Sequence, residues 1–100
     1  YVPHIATEPN YSYFPILVES GFALSRDNLY KMLKENGVNA RRYFYPLITD
    51  FPMYREYASA RKDNLPIANM SANNILCLPI YPDLETEDQE HIINTILACA

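Results

Sequence analysis

The chain has 100 residues, of which 49% are hydrophobic and 20% are charged, and this composition fits one globular domain and argues against a disordered chain. Its formal net charge is −4 and its eight Lys and Arg residues are scattered, so the sequence predicts no broad basic face and no nucleic-acid partner. No apolar run approaches the roughly 20 residues of a membrane span and no signal segment opens the chain, so we expect a cytoplasmic protein without a membrane partner.

The first predicted element is a strand from Tyr11 to Val18. Aromatic and β-branched side chains fill this run, and such side chains suit the pleated, largely buried surface of a sheet. Pro15 lacks an amide hydrogen, which places the strand at the edge of the sheet or at a bulge.

An amphipathic helix over residues 26–36 is predicted next. Ser25 can cap its first turn, Asp27 suits the positive N-terminal end, and Gly37 supplies a left-handed stop. Its apolar stripe consists of Leu29, Met32 and Leu33.

Residues Val38 to Phe44 are predicted to form a second strand, ended by Pro46. Between Tyr45 and Asn64 the prolines, aromatics and charges follow no clean period, so we expect a long connection with at most one helical turn. Long connections inside a compact domain are usually functional or disordered.

The remaining sequence predicts a helix, a strand and a final helix. Asn64 is the expected N-cap of a helix with Pro66 in its first turn, where a missing amide hydrogen does no harm. Ile75 to Leu78 is a short, fully apolar third strand. The last helix starts at Thr86, with Gln89 in capping-box spacing. The apolar face of the earlier helix comprises Ile67, Ala68, Ser71, Ala72 and Ile75, and the stripe of the last helix comprises Ile92, Ile93, Ile96 and Leu97.

This order of elements predicts an α/β (α+β) domain of two layers, with a small three-stranded sheet and helices packed on it. We expect residues 1–100 to form a single domain. The sequence starts at Tyr1 without an initiator Met and ends in an apolar, helix-like segment, so we interpret it as a fragment of a longer chain.

Most reactive side chains have a structural explanation. The acidic residues at the start of the last helix are explained by the helix dipole and capping, and they comprise Asp83, Glu85, Glu87, Asp88 and Glu90. His4 and His91 have no ligand partner at helical spacing, and Cys77 and Cys99 match neither a metal motif nor a disulfide framework. We therefore predict no metal site and two reduced thiols.

The lysines argue against catalysis by this chain alone. Lys31 and Lys34 fall on the polar side of the first helix, and Lys62 lies in a charged loop. A lysine that forms a Schiff base needs a desolvated pocket to lower its pKa, and none of these has an apolar neighbourhood.

The segment from Arg41 to Tyr45 is the strongest candidate binding site. Successive side chains of a strand point to opposite faces, so Arg41, Tyr43 and Tyr45 would share one face, and Arg42 and Phe44 the other. If Phe44 packs in the core, Arg41 and the tyrosines face outward and can cradle a carboxylate, a phosphate or a sugar. The alternative is a strand-end arginine paired with a helix carboxylate, and the residues alone leave both open.

Several separately spaced motifs resemble the C-terminal part of the DegT/StrS family, which comprises fold-type I, pyridoxal-phosphate-dependent aminotransferases that act on nucleotide-linked keto-sugars. The resemblance extends from about Tyr11 to Leu97. The sequence from Arg42 to Leu47 looks closest to members that aminate a dTDP-4-keto-6-deoxyglucose. The motifs are Gly37–Leu47 (GVNARRYFYPL), Phe51–Tyr54 (FPMY), Leu65–Ala68 (LPIA), Ile75–Pro82 (ILCLPIYP) and Glu87–Asp88.

The resemblance implies that the chain is the small C-terminal domain of such an enzyme. It would act as a lid over the active site and help to form a homodimer. The absent large domain would hold the pyridoxal 5′-phosphate and the lysine that binds it, so the fragment alone would be inactive. The substrates of the full-length enzyme would be a nucleotide-linked 4-keto-6-deoxy sugar and an amino donor, which we expect to be glutamate.

The same resemblance implies roles for individual residues. Arg41 matches the arginine that often precedes the aromatic pair, so Arg41 and Tyr43 are the expected substrate-binding residues, and Arg42 is expected to be structural. Family members commonly have a histidine near the sugar where this chain has Ile48. Ile48 cannot form a hydrogen bond, which puts a substrate contact at that position in doubt.

A protein of a different class also fits the sequence. A stand-alone interaction module without catalysis would use exposed tyrosines such as Tyr54, Tyr57 and Tyr81 to contact a protein partner.

Overall fold

The computed structural model describes residues 10–100, so His4 lies outside the described part of the chain. The helices and strands are β1 (Phe14–Leu17), α1 (Arg26–Glu35), α2 (Pro66–Asn74), β2 (Ile75–Leu78) and α3 (Thr86–Leu97). No helix among these residues combines the length and the apolar character needed to cross a bilayer. These helices and strands form a small α/β domain, as the predicted order of elements indicates.

The predicted three-stranded sheet is wrong for the described residues. β1 and β2 form a two-stranded antiparallel sheet that pairs Phe14 with Leu78 and Leu17 with Ile75. The expected strand over Val38–Phe44 is reduced to one bridge, in which Arg41 and Cys77 exchange backbone hydrogen bonds of 2.8 and 2.7 Å.

The backbone around this bridge explains why the ladder stops. On one side, Pro79 has no amide hydrogen to donate. On the other side, the amide of Ile75 donates to the Ser71 carbonyl, and the Ile75 carbonyl accepts from Arg26 at 3.0 Å. Both polar groups of Ile75 that a strand beside Arg41 would need are thus engaged by other partners.

α1 follows the sequence closely. The Ser25 hydroxyl accepts a hydrogen bond from the Asn28 amide at 3.3 Å, and Gly37 adopts a φ of 79°, which is the left-handed conformation that ends the helix. The helix buries Leu29 and Leu33 completely. The core beneath it consists of Val18, Leu29, Leu33, Val38, Ala40, Leu76 and Ile92.

Two predicted helix caps are wrong. The N-cap of α2 is Leu65, because the Asn64 side chain turns back and donates to the Ala58 carbonyl at 2.8 Å. The N-cap of α3 is Glu85, and the Gln89 side chain donates to the Leu84 carbonyl at 3.0 Å instead of completing a capping box. Both side chains satisfy backbone groups of the preceding loop, which lies within their reach once the chain is folded.

The connection between α1 and α2 is more ordered than predicted. It contains three 3-10 turns, where at most one helical turn is predicted, and they are Ile48–Asp50, Ala58–Ala60 and Lys62–Asn64. Ala60 is the only residue of these turns that is buried. Several large apolar side chains of the connection are exposed, so they are available to a surface outside the described chain.

A buried arginine that the sequence did not predict lies at the start of α1. Arg26 is only 3% exposed, and its Nη1 donates to the carbonyl oxygens of Ala72 at 2.8 Å and Ile75 at 3.0 Å. Its Nε pairs with Asp27 at 2.9 Å. These bonds tie α1 to the junction of α2 and β2.

We expect Arg26→Met to lower the free energy of unfolding by about 2–3 kcal/mol, because it leaves two inward-facing carbonyls without their charged donor. Urea denaturation followed by circular dichroism measures this change. Arg61→Met is the matched control, since Arg61 is exposed and, within residues 10–100, pairs only with Asp63. A loss at Arg26 no larger than that at Arg61 would show that the buried bonds are not stabilising.

Candidate functional site

A half-open cleft of about 690 Å³ lies beside the segment that follows α1. Its walls come from residues 37–43, the end of β2 with the turn that follows, and one side of α3. Side chains that can bind a polar ligand line it at several points, and they include Tyr13, Arg41, Tyr43, Tyr81, Asp88 and His91.

Arg41 and Tyr43 enter this cleft together. The backbone bridge to Cys77 fixes Arg41, whose guanidinium donates to the Tyr43 hydroxyl and lies 5.5 Å from the centre of the Tyr43 ring. The Tyr43 ring packs edge-on against Tyr13, with centroids 5.4 Å apart, and stacks on Phe44 at 5.1 Å. The structure thus brings the two predicted binding residues into one wall, and their binding role stays a prediction.

The predicted alternation of side chains holds only as far as Tyr43. Phe44 is 67% exposed, so it is not the core residue that a regular strand would require. Tyr45 does not join Arg41 but lies on the opposite side, where Arg26 and Arg42 cover its ring at 4.8 and 5.2 Å. Alternation requires a paired strand, and the pairing ends at Arg41.

Arg42 is held by a group of side chains that we name the Asp27 cluster, consisting of Arg26, Asp27, Tyr30, Arg42 and Tyr45. Arg42 donates to the Asp27 carboxylate at 3.1 Å and lies 4.8 Å above the Tyr30 ring. The arginine that pairs with a helix carboxylate is therefore Arg42. Arg41 forms no ion pair within residues 10–100.

Two groups near the site have shifted pKa values. Partial burial acts to raise the pKa of Asp27, but hydrogen bonds and charge from Arg42 and Arg26 outweigh it and hold that pKa below the usual carboxyl value. Burial raises the pKa of the Cys77 thiol, and the backbone amide of Tyr43 opposes this only in part. At neutral pH Asp27 is ionised and Cys77 is a neutral thiol.

Asp88 and His91 line the cleft, although the sequence predicts no binding role for either residue. Both lie on α3, where the acidic group is explained by the helix dipole. The Nε2 of His91 donates to the Asn36 carbonyl at 2.9 Å and so joins α3 to the end of α1. No local motif marks these residues, because the turn after β2 alone brings them opposite Arg41.

Ile48 lies outside this cleft. It is 68% exposed and lines a second groove of about 490 Å³, which shares Arg41 and Tyr43 with the cleft. Aromatic side chains and the two arginines Arg41 and Arg42 form much of that groove.

Comparison with known proteins relates this chain to a family of aminotransferases. The sequence model of the DegT/DnrJ/EryC1/StrS aminotransferase family matches residues 2–97. A dTDP-4-amino-4,6-dideoxy-D-glucose transaminase from Escherichia coli is 58% identical over 84 residues, or 84% of this chain and 23% of that protein. A protein with the same name from Shigella dysenteriae is 46% identical over 87 residues, or 87% of this chain and 23% of that protein.

A more distant relative has a different name. GDP-perosamine synthase from Vibrio cholerae is 32% identical over 81 residues, or 81% of this chain and 21% of that protein. The chain thus spans between 21% and 23% of the length of these relatives.

We expect Asp27→Asn to lower the free energy of unfolding at pH 7 by up to about 1 kcal/mol, since the carboxylate is half exposed and its ion pairs are screened. The folded pKa lies below the unfolded one, so this contribution is complete above about pH 4 and is lost as the pH falls through the folded pKa. Urea titrations of both proteins from pH 7 to pH 3 measure the difference. If the difference in free energy of unfolding between wild type and Asp27→Asn grew toward pH 3, it would contradict a lowered folded pKa of Asp27.

We expect the Cys77 thiol to react slowly with iodoacetamide at pH 7.5 in the folded chain, because it is buried and its raised pKa keeps it protonated. Cys99 is only half-buried and serves as the internal control. Peptide mass spectrometry after timed labelling gives both rates. In urea the two rates should converge, whereas equal rates in the folded chain would contradict the buried position of Cys77.

Proposed function

Because the chain belongs to the DegT/DnrJ/EryC1/StrS aminotransferase family, we propose that it is the C-terminal domain of a longer cytoplasmic, pyridoxal-phosphate-dependent sugar-nucleotide transaminase. The enzyme would transfer an amino group from glutamate to a dTDP-linked 4-keto-6-deoxy sugar. The observation that carries this proposal is the 58% identity to a transaminase named for a dTDP-linked 4-amino-4,6-dideoxy sugar.

The residues of this chain do not fit the cofactor. Pyridoxal phosphate is held through a lysine in an enclosed site, and Lys31, Lys34 and Lys62 are all exposed. We therefore assign the cofactor and the reacting lysine to the larger part of the enzyme, and we derive no step of the reaction from the present chain. That larger part would correspond to the portion of the relatives that this chain does not match.

Binding of the substrate is the role that the cleft supports. Arg41 carries a positive charge with no carboxylate paired to it within residues 10–100, and most of its donors remain available. A guanidinium in this state binds phosphate or carboxylate oxygens through paired hydrogen bonds. The rings of Tyr13 and Tyr43 beside it offer an apolar face to a sugar.

The exposed apolar side chains support a lid that also joins two subunits. On α3, Ile93 and Leu97 are 53% and 62% exposed although they continue the buried stripe of Ile92. On α2, Ile67 and Met70 are also exposed. Faces of this kind usually pack against another protein surface, which here would be the large domain and a second copy in a homodimer.

The stand-alone interaction module is kept as a second candidate because its tyrosines are accessible. Tyr54, Tyr57 and Tyr81 are all exposed. The reading frame upstream of Tyr1 separates the two functions. Several hundred further codons that include a candidate aldimine lysine support the enzyme, and a start codon close to Tyr1 supports the module.

The decisive test uses the full-length protein. We expect it to show the absorbance of a lysine aldimine with pyridoxal phosphate, made permanent by borohydride, and to exchange amino groups between glutamate and dTDP-4-keto-6-deoxyglucose. Arg41→Gln should raise KM for the sugar nucleotide by about tenfold or more, because it removes charged hydrogen bonds to an anionic group.

Arg61→Gln is the control for this variant, since Arg61 lies outside both cavities. A stoichiometric borohydride adduct on Lys31, Lys34 or Lys62 would refute the lid assignment. An unchanged KM in Arg41→Gln would refute the binding role of Arg41 but would leave the rest of the proposed function standing.

A further inference from the structure

We infer that Asp27, which lines neither cavity, is a positioning residue that sets the geometry of Arg41 and Tyr43 through Arg42. This inference rests on the proposed function for its substrate, but its structural part stands on contacts within the chain. Asp27 lies in the first turn of α1, and the cleft residues lie 14 and 16 positions further along the sequence.

The first step is that backbone pairing holds the segment only at one residue. Arg41 exchanges two hydrogen bonds with Cys77, and no strand pairing continues beyond it. Beyond Arg41, the Tyr43 amide hydrogen-bonds to the Cys77 thiol, and the course of the chain from Arg42 to Tyr45 is otherwise determined by side chains of the segment.

The second step is that these side chains converge on Asp27. Its Oδ1 accepts from the Nε of Arg26 at 2.9 Å and from the Nη1 of Arg42 at 3.1 Å. Arg26 is in turn anchored in the interior by the carbonyls of Ala72 and Ile75. Asp27 is thus the link between a buried, immobile arginine and the arginine of the segment.

The third step is that stacking makes the arrangement directional. Arg42 lies 4.8 Å from the Tyr30 ring and 5.2 Å from the Tyr45 ring, and Arg26 lies 4.8 Å from Tyr45. Flat guanidinium groups over aromatic rings are attracted by the ring electrons, which fixes their orientation as well as their distance. Arg42 is therefore held on the α1 side of the segment.

The fourth step connects this side of the segment to the cleft. Arg42 and Tyr45 occupy the α1 side, which leaves the cleft side to Tyr43, where its ring packs against Tyr13 and its hydroxyl accepts from the Arg41 guanidinium. Asp27 also neutralises one of the two cluster arginines. Without it, three arginines would repel one another around the segment, and the orientation of Arg41 toward the cleft would be lost.

Asp27→Asn in the full-length enzyme tests this positioning role. We expect KM for dTDP-4-keto-6-deoxyglucose to rise about three- to tenfold while kcat changes by less than about twofold. Simple destabilisation lowers the fraction of active enzyme, and hence the apparent kcat, without raising KM. Asp63→Asn is the control for loss of a surface carboxylate, because Asp63 forms an exposed ion pair with Arg61 and lines neither cavity.

A second readout does not depend on activity. The ¹⁹F resonance of 3-fluorotyrosine placed at position 43 reports the surroundings of that ring, and we expect it to move in Asp27→Asn and to stay in place in Asp63→Asn. Tyr45→Leu removes the ring on which Arg26 and Arg42 stack, and it should produce the same movement of the resonance and the same rise in KM. If one of the two variants fails to fold, the other still tests the positioning role.

Measuring both KM and the ¹⁹F resonance distinguishes a failure of the positioning role from a failure of the proposed function. An unchanged ¹⁹F resonance in Asp27→Asn would overturn the positioning role whatever the enzyme does. A moved resonance with an unchanged KM would also overturn it, because the new geometry would not affect binding. A full-length wild-type protein without transaminase activity would refute the proposed function, while the ¹⁹F measurement would still decide whether Asp27 positions Tyr43.

Discussion

The structure depends on the burial of one charge, the guanidinium of Arg26. A buried charge is stable only when its donors are paired, and here two backbone carbonyls and the Asp27 carboxylate pair them. The carbonyls belong to Ala72 in α2 and Ile75 in β2, so the pairing joins the start of α1 to a junction 46 to 49 residues away. The same bond to Ile75 occupies the acceptor that a third strand would need, and the sheet stays at two strands among the described residues.

The incomplete sheet has a consequence for the cleft. A regular third strand would turn Phe44 into the core and would place Tyr45 beside Arg41. Because pairing ends at Arg41, side chains decide the path of the segment, and Arg42 and Tyr45 join Arg26 on the α1 side. Arg41 is left without a carboxylate partner in the described chain and faces a cleft of about 690 Å³. An unpaired guanidinium next to tyrosine rings suits an anionic, sugar-bearing ligand.

The surface of the domain is consistent with a part of a larger protein. The last helix buries Ile92 and exposes Ile93 and Leu97, although all belong to one apolar stripe. The connection between α1 and α2 likewise presents apolar side chains such as Ile48 and Met53 to solvent. The chain spans 21% to 23% of the length of these relatives, and exposed apolar faces of this kind usually pack against another protein surface.

Local patterns in the sequence were enough to predict the family, the three helices, the strand Ile75–Leu78 and a first strand, which was predicted over Tyr11–Val18 and is shorter in the structure, at Phe14–Leu17. They also pointed to Arg41 and Tyr43, whose binding role stays a prediction. These features rest on local signals, such as the Ser25 cap, the Gly37 stop and the spaced motifs, which act over a few residues. Three features could not be predicted from local patterns: the loss of the second predicted strand, the burial of Arg26, and the positions of Asp88 and His91 in the cleft. Each of these depends on groups far apart in the chain competing for the same hydrogen bonds or the same space, and no local pattern records the result.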